Sequence, residues 1–263
     1  MPAVLGGPWR YPVAEACAAA GGSGEGLRFI LHPPATRTIP PRTPPMNNPT
    51  HPRILVGTTN AHKLIELRAL LHGIGCELLL PTDVGLAGYD VDETGETLMA
   101  NAIIKANAFA ARSGLPALAD DSGLEVDALG GEPGVRSRRY AGDDATDADR
   151  IALVLAKLHG VPDAKRTARF RSVIAFAEPD RLIGTGTGTV EGAIGDAPHG
   201  MHGFGYDPIF LVDGHRPTMA ELTPESKNAI SHRSRAVMSI RPILEAWLSR
   251  RSPVGAPLED GPT

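Results

Sequence analysis

The sequence predicts an α/β fold on three observations. The run Arg53-Ile54-Leu55-Val56-Gly57 reads as a buried strand. It leads at once into a helical pattern with Leu64, Leu67, Leu70 and Leu71 on one face. Residues 116–119 and 124–129 form short strand-like runs around Asp120-Asp121-Ser122-Gly123, the second run alternating apolar and polar residues. Residues 169–177 and 182–194 are longer strand patterns, set between further helical ones. Gly123 is expected to turn the backbone, which would leave Asp120, Asp121 and Ser122 together at a strand end. In α/β folds that is where ligands bind; a bare solvated turn has the same residue types.

With 263 residues, 42% hydrophobic and 21% charged, the chain has the composition of a soluble globular protein. It can bury a core in one domain, or in two lobes around a cleft. A net charge of -4 argues against a surface for nucleic acid polymers, while a few local cations would suffice for free nucleotides. Cys17 and Cys76 are far apart and lack metal-ligand spacing, which points to a reduced, cytoplasmic setting. No apolar run reaches the roughly 18 residues of a membrane helix, so no membrane partner is expected.

Taken in order, residues 1–52 stand apart. They hold eleven of the 24 prolines, and Pro40-Pro41-Arg42-Thr43-Pro44-Pro45 cannot propagate a helix or a central strand. This stretch reads as a disordered Pro/Gly-rich extension, with Met46 a candidate for a later start. Residues 53–249 are expected to form the folded domain and residues 250–263 a flexible tail. After the first strand, Thr58-Thr59-Asn60-Ala61-His62-Lys63 opens a helix. Such a loop can hold phosphate through free N–H groups and the helix dipole, or can be a simple capped start; it lacks Walker spacing.

Residues 76–80 read as a second strand, and the acidic stretch 90–96 precedes a helix over residues 97–112. Lys105 sits mid-helix, where it either snorkels or reaches an anion. Thr146 and Asp149 have the spacing of a capping pair for a helix that runs to Leu158. The alternation Gly184, Gly186, Gly188 inside a strand pattern marks twist or close packing more readily than a nucleotide loop. In residues 199–210 glycines surround Phe204, Tyr206 and Asp207, an arrangement that either presents an aromatic to a flat ligand or turns core aromatics inward. Thr223-Pro224-Glu225 starts the terminal helical region, with proline at the first helical position. Lys227 lies inside it and Ser231-His232-Arg233 follows. Ala236, Ile240, Leu244, Trp247 and Leu248 recur with helical spacing, and Pro242 is expected to kink or interrupt that helix.

Taken together, several stretches resemble the inosine/xanthosine triphosphate pyrophosphatase family. They are Thr58-Thr59-Asn60-Ala61-His62-Lys63, Asp92-Glu93-Thr94-Gly95, Asn101-Ala102-Ile103-Ile104-Lys105-Ala106 and Ala119-Asp120-Asp121-Ser122-Gly123-Leu124. Phe204-Gly205-Tyr206-Asp207-Pro208, Ala220-Glu221-Leu222 and Lys227-Asn228-Ala229-Ile230-Ser231-His232-Arg233 follow in the family's order. The resemblance spans about residues 53–248.

It implies a long mixed β-sheet with flanking helices, two lobes around a central substrate cleft, and a homodimer. It implies Mg²⁺-dependent hydrolysis of noncanonical purine nucleoside triphosphates (ITP, dITP, XTP) to the monophosphate and pyrophosphate. Thr58, Thr59, Asn60, Ala61, His62 and Lys63 would hold the triphosphate, with Ser122 and Lys105 adding contacts. Asp121 would accept the proton and bind Mg²⁺, with Glu93 the second acid at the metal. Phe204, Gly205, Tyr206, Asp207, Lys227, His232 and Arg233 would form the base and sugar pocket. Arg233, a donor only, would pair with the C6 keto oxygen and face adenine's amino group unfavourably. Thr59 stands where the family has glycine, and Ala100 where it often has glutamate. A Maf-type pyrophosphatase of other base preference, or a nucleotide sensor without turnover, are the alternatives.

Overall fold

The computed structural model describes residues 51–212 and 217–251. The expected extension and tail therefore lie outside the described residues, apart from their inner edges. One six-stranded mixed sheet organises the described residues, in the order β2-β1-β3-β4-β5-β6. Strand β1 (Arg53–Val56) pairs in parallel with β2 (Glu77–Leu79) and with β3 (Ala117–Val126). Strands β4 (Thr167–Glu178), β5 (Arg181–Ile194) and β6 (Phe210–Val212) continue it in antiparallel fashion. The expected long mixed sheet with flanking helices is the observed architecture.

The helices follow from their ends. Helix α1 (Ala61–Leu70) is capped by Asn60, whose side chain accepts from the N–H groups of His62 and Lys63. Helix α2 (Leu98–Ser113) starts on Thr97 and stops at Gly114, which takes the left-handed conformation at φ 70°. Thr146 and Asp149 form the expected capping box on α3 (Asp147–Lys157). The terminal region is two helices, α4 (Pro224–Ile230) and α5 (His232–Ser249), because Ser231 leaves helical geometry at ψ 156° and caps α5. Pro242 lies within α5 without interrupting it. No helix among the described residues is long and apolar enough to cross a membrane.

Alternate residues of the long strands feed different cores. Leu118, Ile174 and Phe176 pack with α1 and α5, whereas Ala117, Ala119, Val173 and Ala175 pack under α2. Further along the same strands Leu124, Val126, Ala168 and Phe170 join a third core with α3. Glycines let α5 lie directly on β5: a Cβ at Gly188 would come 2.1 Å from the His232 carbonyl oxygen, and one at Gly186 2.6 Å from that of Ala236. Close packing is thus what the glycine alternation serves.

One sequence expectation is overturned. Gly123 does not turn the chain; β3 runs unbroken through Asp120, Asp121, Ser122 and Gly123, paired with Ile174, Val173, Ser172 and Arg171. The glycine serves a close approach instead, since a Cβ there would lie 2.3 Å from the Gly134 carbonyl oxygen. The second expected strand ends at Val126, and Asp127–Leu129 is a 3₁₀ turn.

Candidate active site

Because successive side chains leave a strand on opposite faces, Asp120 and Asp121 enter different environments. Asp120 faces α1 and α5. Its Oδ2 accepts from Arg233 Nε at 3.2 Å and Ser122 Oγ at 3.0 Å, and pairs with Lys63 Nζ at 3.1 Å. Burial would raise its pKa, but Lys63, Arg233 and Lys105 outweigh burial and hold it well below the usual carboxylate range. The charges continue in alternation. Arg233 NH1 meets Glu66 Oε2, Glu66 Oε1 lies 2.7 Å from Lys227 Nζ, and that ammonium donates to Asp207 Oδ2 at 2.6 Å. Asp207 also accepts from the Phe204 N–H at 2.9 Å, which fixes the 204–207 loop. Gly203 permits this, since its φ is +76° and a Cβ would lie 2.1 Å from Asp207 Oδ2.

Asp121 faces α2. Lys105 Nζ lies 3.1 Å from Asp121 Oδ1 and 3.0 Å from Glu93 Oε1, so one ammonium bridges two carboxylates. Burial lowers the Lys105 pKa, yet Asp121, Asp120 and Glu93 more than offset it and leave it raised. At Asp121 burial prevails: Lys105 and Lys63 oppose it only in part, Glu93 adds to it, and the carboxyl sits above its ordinary value. Asp121 Oδ2 is buried with no hydrogen-bond partner. An orphaned carboxylate oxygen beside a second acid fits Mg²⁺, which takes one or two carboxylates and completes its shell with water and phosphate. Among the described residues no group of three or more His, Cys, Asp or Glu is placed for a metal, and this ion does not require one.

Both carboxylate systems border a cleft of about 910 Å³, counting its open mouth, within the range of small-molecule sites. Asn60, Lys63, Glu93, Asp121 and Ser122 line it, as do Phe204, Gly205, Tyr206, Asp207, Lys227, His232 and Arg233. Thr58, Thr59, Ala61, His62 and Lys105 do not. The α1 loop is also less open to phosphate than its sequence suggests. Asn60 Oδ1 already takes the His62 and Lys63 N–H groups, at 3.0 and 3.2 Å, and Thr58 Oγ1 accepts from Asn60 N–H. Of its two readings, Lys105 takes the anion contact, with the Asp121 and Glu93 carboxylates as the anions. His62 stacks on the Phe204 ring at 5.1 Å.

His232, stacked on Phe170 at 4.8 Å, has its pKa pushed well below the usual value by burial and by Arg233 and Lys227. It is a neutral imidazole, and its Nδ1 has no partner. Arg233 is 1% exposed and donates once from each nitrogen, to Asp120, Glu66 and Ser122. One N–H on each terminal nitrogen is left for a ligand.

Several residues of the site had no signal in the sequence. Glu66 looks like any solvated helix acid until Lys227 and Arg233 are brought to it. Asp147, readable only as a first-turn acid of α3, accepts the Gly205 N–H at 2.7 Å. The opposite wall is the 3₁₀ segment Gly134–Arg139. Ser137 Oγ accepts from Leu124 N–H at 2.9 Å, and the Ser137 carbonyl accepts from Tyr206 OH at 2.8 Å. Arg150 NH1 donates to the Arg138 carbonyl at 2.9 Å.

With the geometry in hand, comparison with known proteins gives one direction. The Ham1 family model matches residues 54–243. The "dITP/XTP pyrophosphatase" of Geobacillus kaustophilus is 49% identical over 187 residues, covering 71% of this chain and 91% of that protein. Its counterpart in Coxiella burnetii is 47% identical over 200 residues, covering 74% and 98%. Among solved structures, the HAM1 protein of Coxiella burnetii superposes with a TM-score of 0.67 at 44% identity, over 74% of this chain and 99% of that one. The Staphylococcus aureus Ham1 protein does so with 0.65 at 38% identity, over 74% and 99%. The chain belongs to the Ham1 family.

Proposed function

We propose that this chain, a nucleoside triphosphate pyrophosphatase by its family, hydrolyses noncanonical purine nucleoside triphosphates (ITP, dITP and XTP) with Mg²⁺. The products are the monophosphate and pyrophosphate. The observation that carries the mechanism is Asp121: a buried carboxylate with one free oxygen, on the wall of the cleft, with Lys105 tying it to Glu93. The relatives' printed activity supports the reaction class.

Asp121 accepts the proton of the attacking water as the anhydride bond between the α- and β-phosphates breaks. A carboxyl with a raised pKa is a better acceptor than an exposed aspartate, and the Lys105 ammonium favours its ionised form. Asp121 and Glu93 would hold Mg²⁺, which when bound would supply positive charge to the phosphate oxygens. Lys63 and Ser122 face the same space and position the phosphates. The 204–207 loop and His232 line the same cleft and hold the nucleoside. The same reading takes the protein as a cytoplasmic homodimer.

The test is pyrophosphate release from ITP, dITP and XTP beside ATP, GTP, CTP and UTP, with Mg²⁺ and with a chelator. Turnover confined to the noncanonical purines, and lost on chelation, is expected. Preference for a pyrimidine or a common purine would overturn the substrate assignment. Binding without release would make the protein a sensor.

A further inference from the structure

The cleft faces a polyanionic substrate with cations that are nearly all committed already. Lys63 pairs with Asp120, Lys227 with Glu66 and Asp207, and Arg233 with Asp120 and Glu66. On the other wall Arg150 pairs with Asp147, and Arg139 NH2 lies 3.4 Å from Glu93 Oε2. Arg138 also lines the cleft, and among the described residues its guanidinium meets no carboxylate. Its backbone is fixed all the same. The Arg138 carbonyl accepts from Arg150 at 2.9 Å, and its neighbour Ser137 is bonded to β3 at Leu124 N–H. An anchored main chain with an exposed, uncommitted fork is the arrangement that can close on a phosphate without first breaking an ion pair.

We infer that Arg138 binds the triphosphate beyond its α-phosphate, making it an affinity and specificity determinant for the phosphate chain. The inference rests on the pyrophosphatase reading above. It distinguishes Arg138 from Arg139, which is held by Glu93, and from the buried lysines, whose charges are met inside the protein. A guanidinium carries five donors and suits two phosphate oxygens at once, so lysine is only a partial substitute.

The experiment compares wild type with Arg138→Ala and Arg138→Lys. It measures steady-state ITP hydrolysis at low and high salt, and inhibition by inorganic tripolyphosphate and by IMP. For Arg138→Ala, KM for ITP and the inhibition constant of tripolyphosphate should both rise about tenfold at low salt. The change should fall on KM more than on kcat, inhibition by IMP should stay as in wild type, and high salt should shrink the difference. Arg138→Lys should recover part of the loss. Unchanged KM and tripolyphosphate inhibition would overturn the assignment, and so would IMP inhibition weakened as much as that by tripolyphosphate. Should ITP prove not to be a substrate, calorimetric titration of both proteins with tripolyphosphate still decides the role of Arg138. Failure of the pyrophosphatase reading and failure of this one are thereby separable.

Discussion

The two faces of β3 treat adjacent aspartates in opposite ways. On the α1–α5 face, Asp120 belongs to the alternating series Lys63, Asp120, Arg233, Glu66, Lys227, Asp207, in which each charge meets one of opposite sign. On the α2 face, Asp121 shares its one ammonium with Glu93, and burial prevails over that lysine; each aspartate keeps one oxygen unpartnered, so the difference lies in the cations and not in the free oxygen. The first arrangement holds the cleft walls at fixed separation, because a buried charge that loses its partner is costly. The second keeps reactive capacity at some cost in stability. A single strand thus carries a scaffold carboxylate and a reactive one side by side, separated only by the pleat.

The largest expected effect bears on the reactive face. Asp121→Asn should lower kcat for ITP by about 10³-fold or more, since the amide neither accepts the proton nor serves as a Mg²⁺ ligand of comparable charge. The far-ultraviolet spectrum and cooperative unfolding should be retained. Near-normal turnover by a folded Asp121→Asn protein at saturating Mg²⁺ would erase the proposed division of labour.

The scaffold face should respond in stability. Among the described residues, Asp120→Asn leaves Lys63 without its one carboxylate contact and removes one of the two that hold Arg233. Loss of one partner in a buried ion pair costs about 3–5 kcal/mol, readable as a lower midpoint in urea denaturation with little change in slope. If Asp120→Asn unfolds with the wild-type midpoint, the alternating series does not hold the walls together.

How much of this was legible in the sequence follows the range of the interactions. The α1 start and the Thr146–Asp149 box are set within four residues, and the sequence shows them. The glycine alternation in β5 marked close packing, although its partner, α5, lies some fifty residues further on. Gly123 reads as a turn because glycine is also a turn residue; the reason for it, the Gly134 carbonyl, lies in a segment that only the fold brings near. Glu66 is further from Arg233 still, at a separation of 167 residues. No periodicity connects such positions. The resemblance placed Asp121, Glu93 and the 204–207 loop at one site, while the commitment of Asn60, Lys105 and Arg233 to protein partners required coordinates.

The smallest effect is also the sharpest comparison, because it turns on sign. In metal-free protein Asp120 has its pKa lowered by folding, whereas Asp121 has its pKa raised. The depressed group contributes stability that is present above the unfolded carboxylate value of about 3.9 and is lost as pH falls below it. The raised group contributes stability that is present below about 3.9 and is lost as pH rises through its folded value. Asparagine at either position removes the titration. The deficit of Asp120→Asn relative to wild type should therefore be greatest at neutral pH and narrow on acidification below pH about 4. Asp121→Asn should move the other way, becoming more favourable relative to wild type as pH rises from about 4 toward neutrality. Urea midpoints for the three proteins in chelator at a series of pH values give both difference curves. Parallel curves would mean that the two carboxylates have equivalent environments, and the contrast between the faces of β3 would fall. Opposed slopes would tie the burial of Asp121 beside Glu93 to a measurable cost in the folded, ligand-free protein.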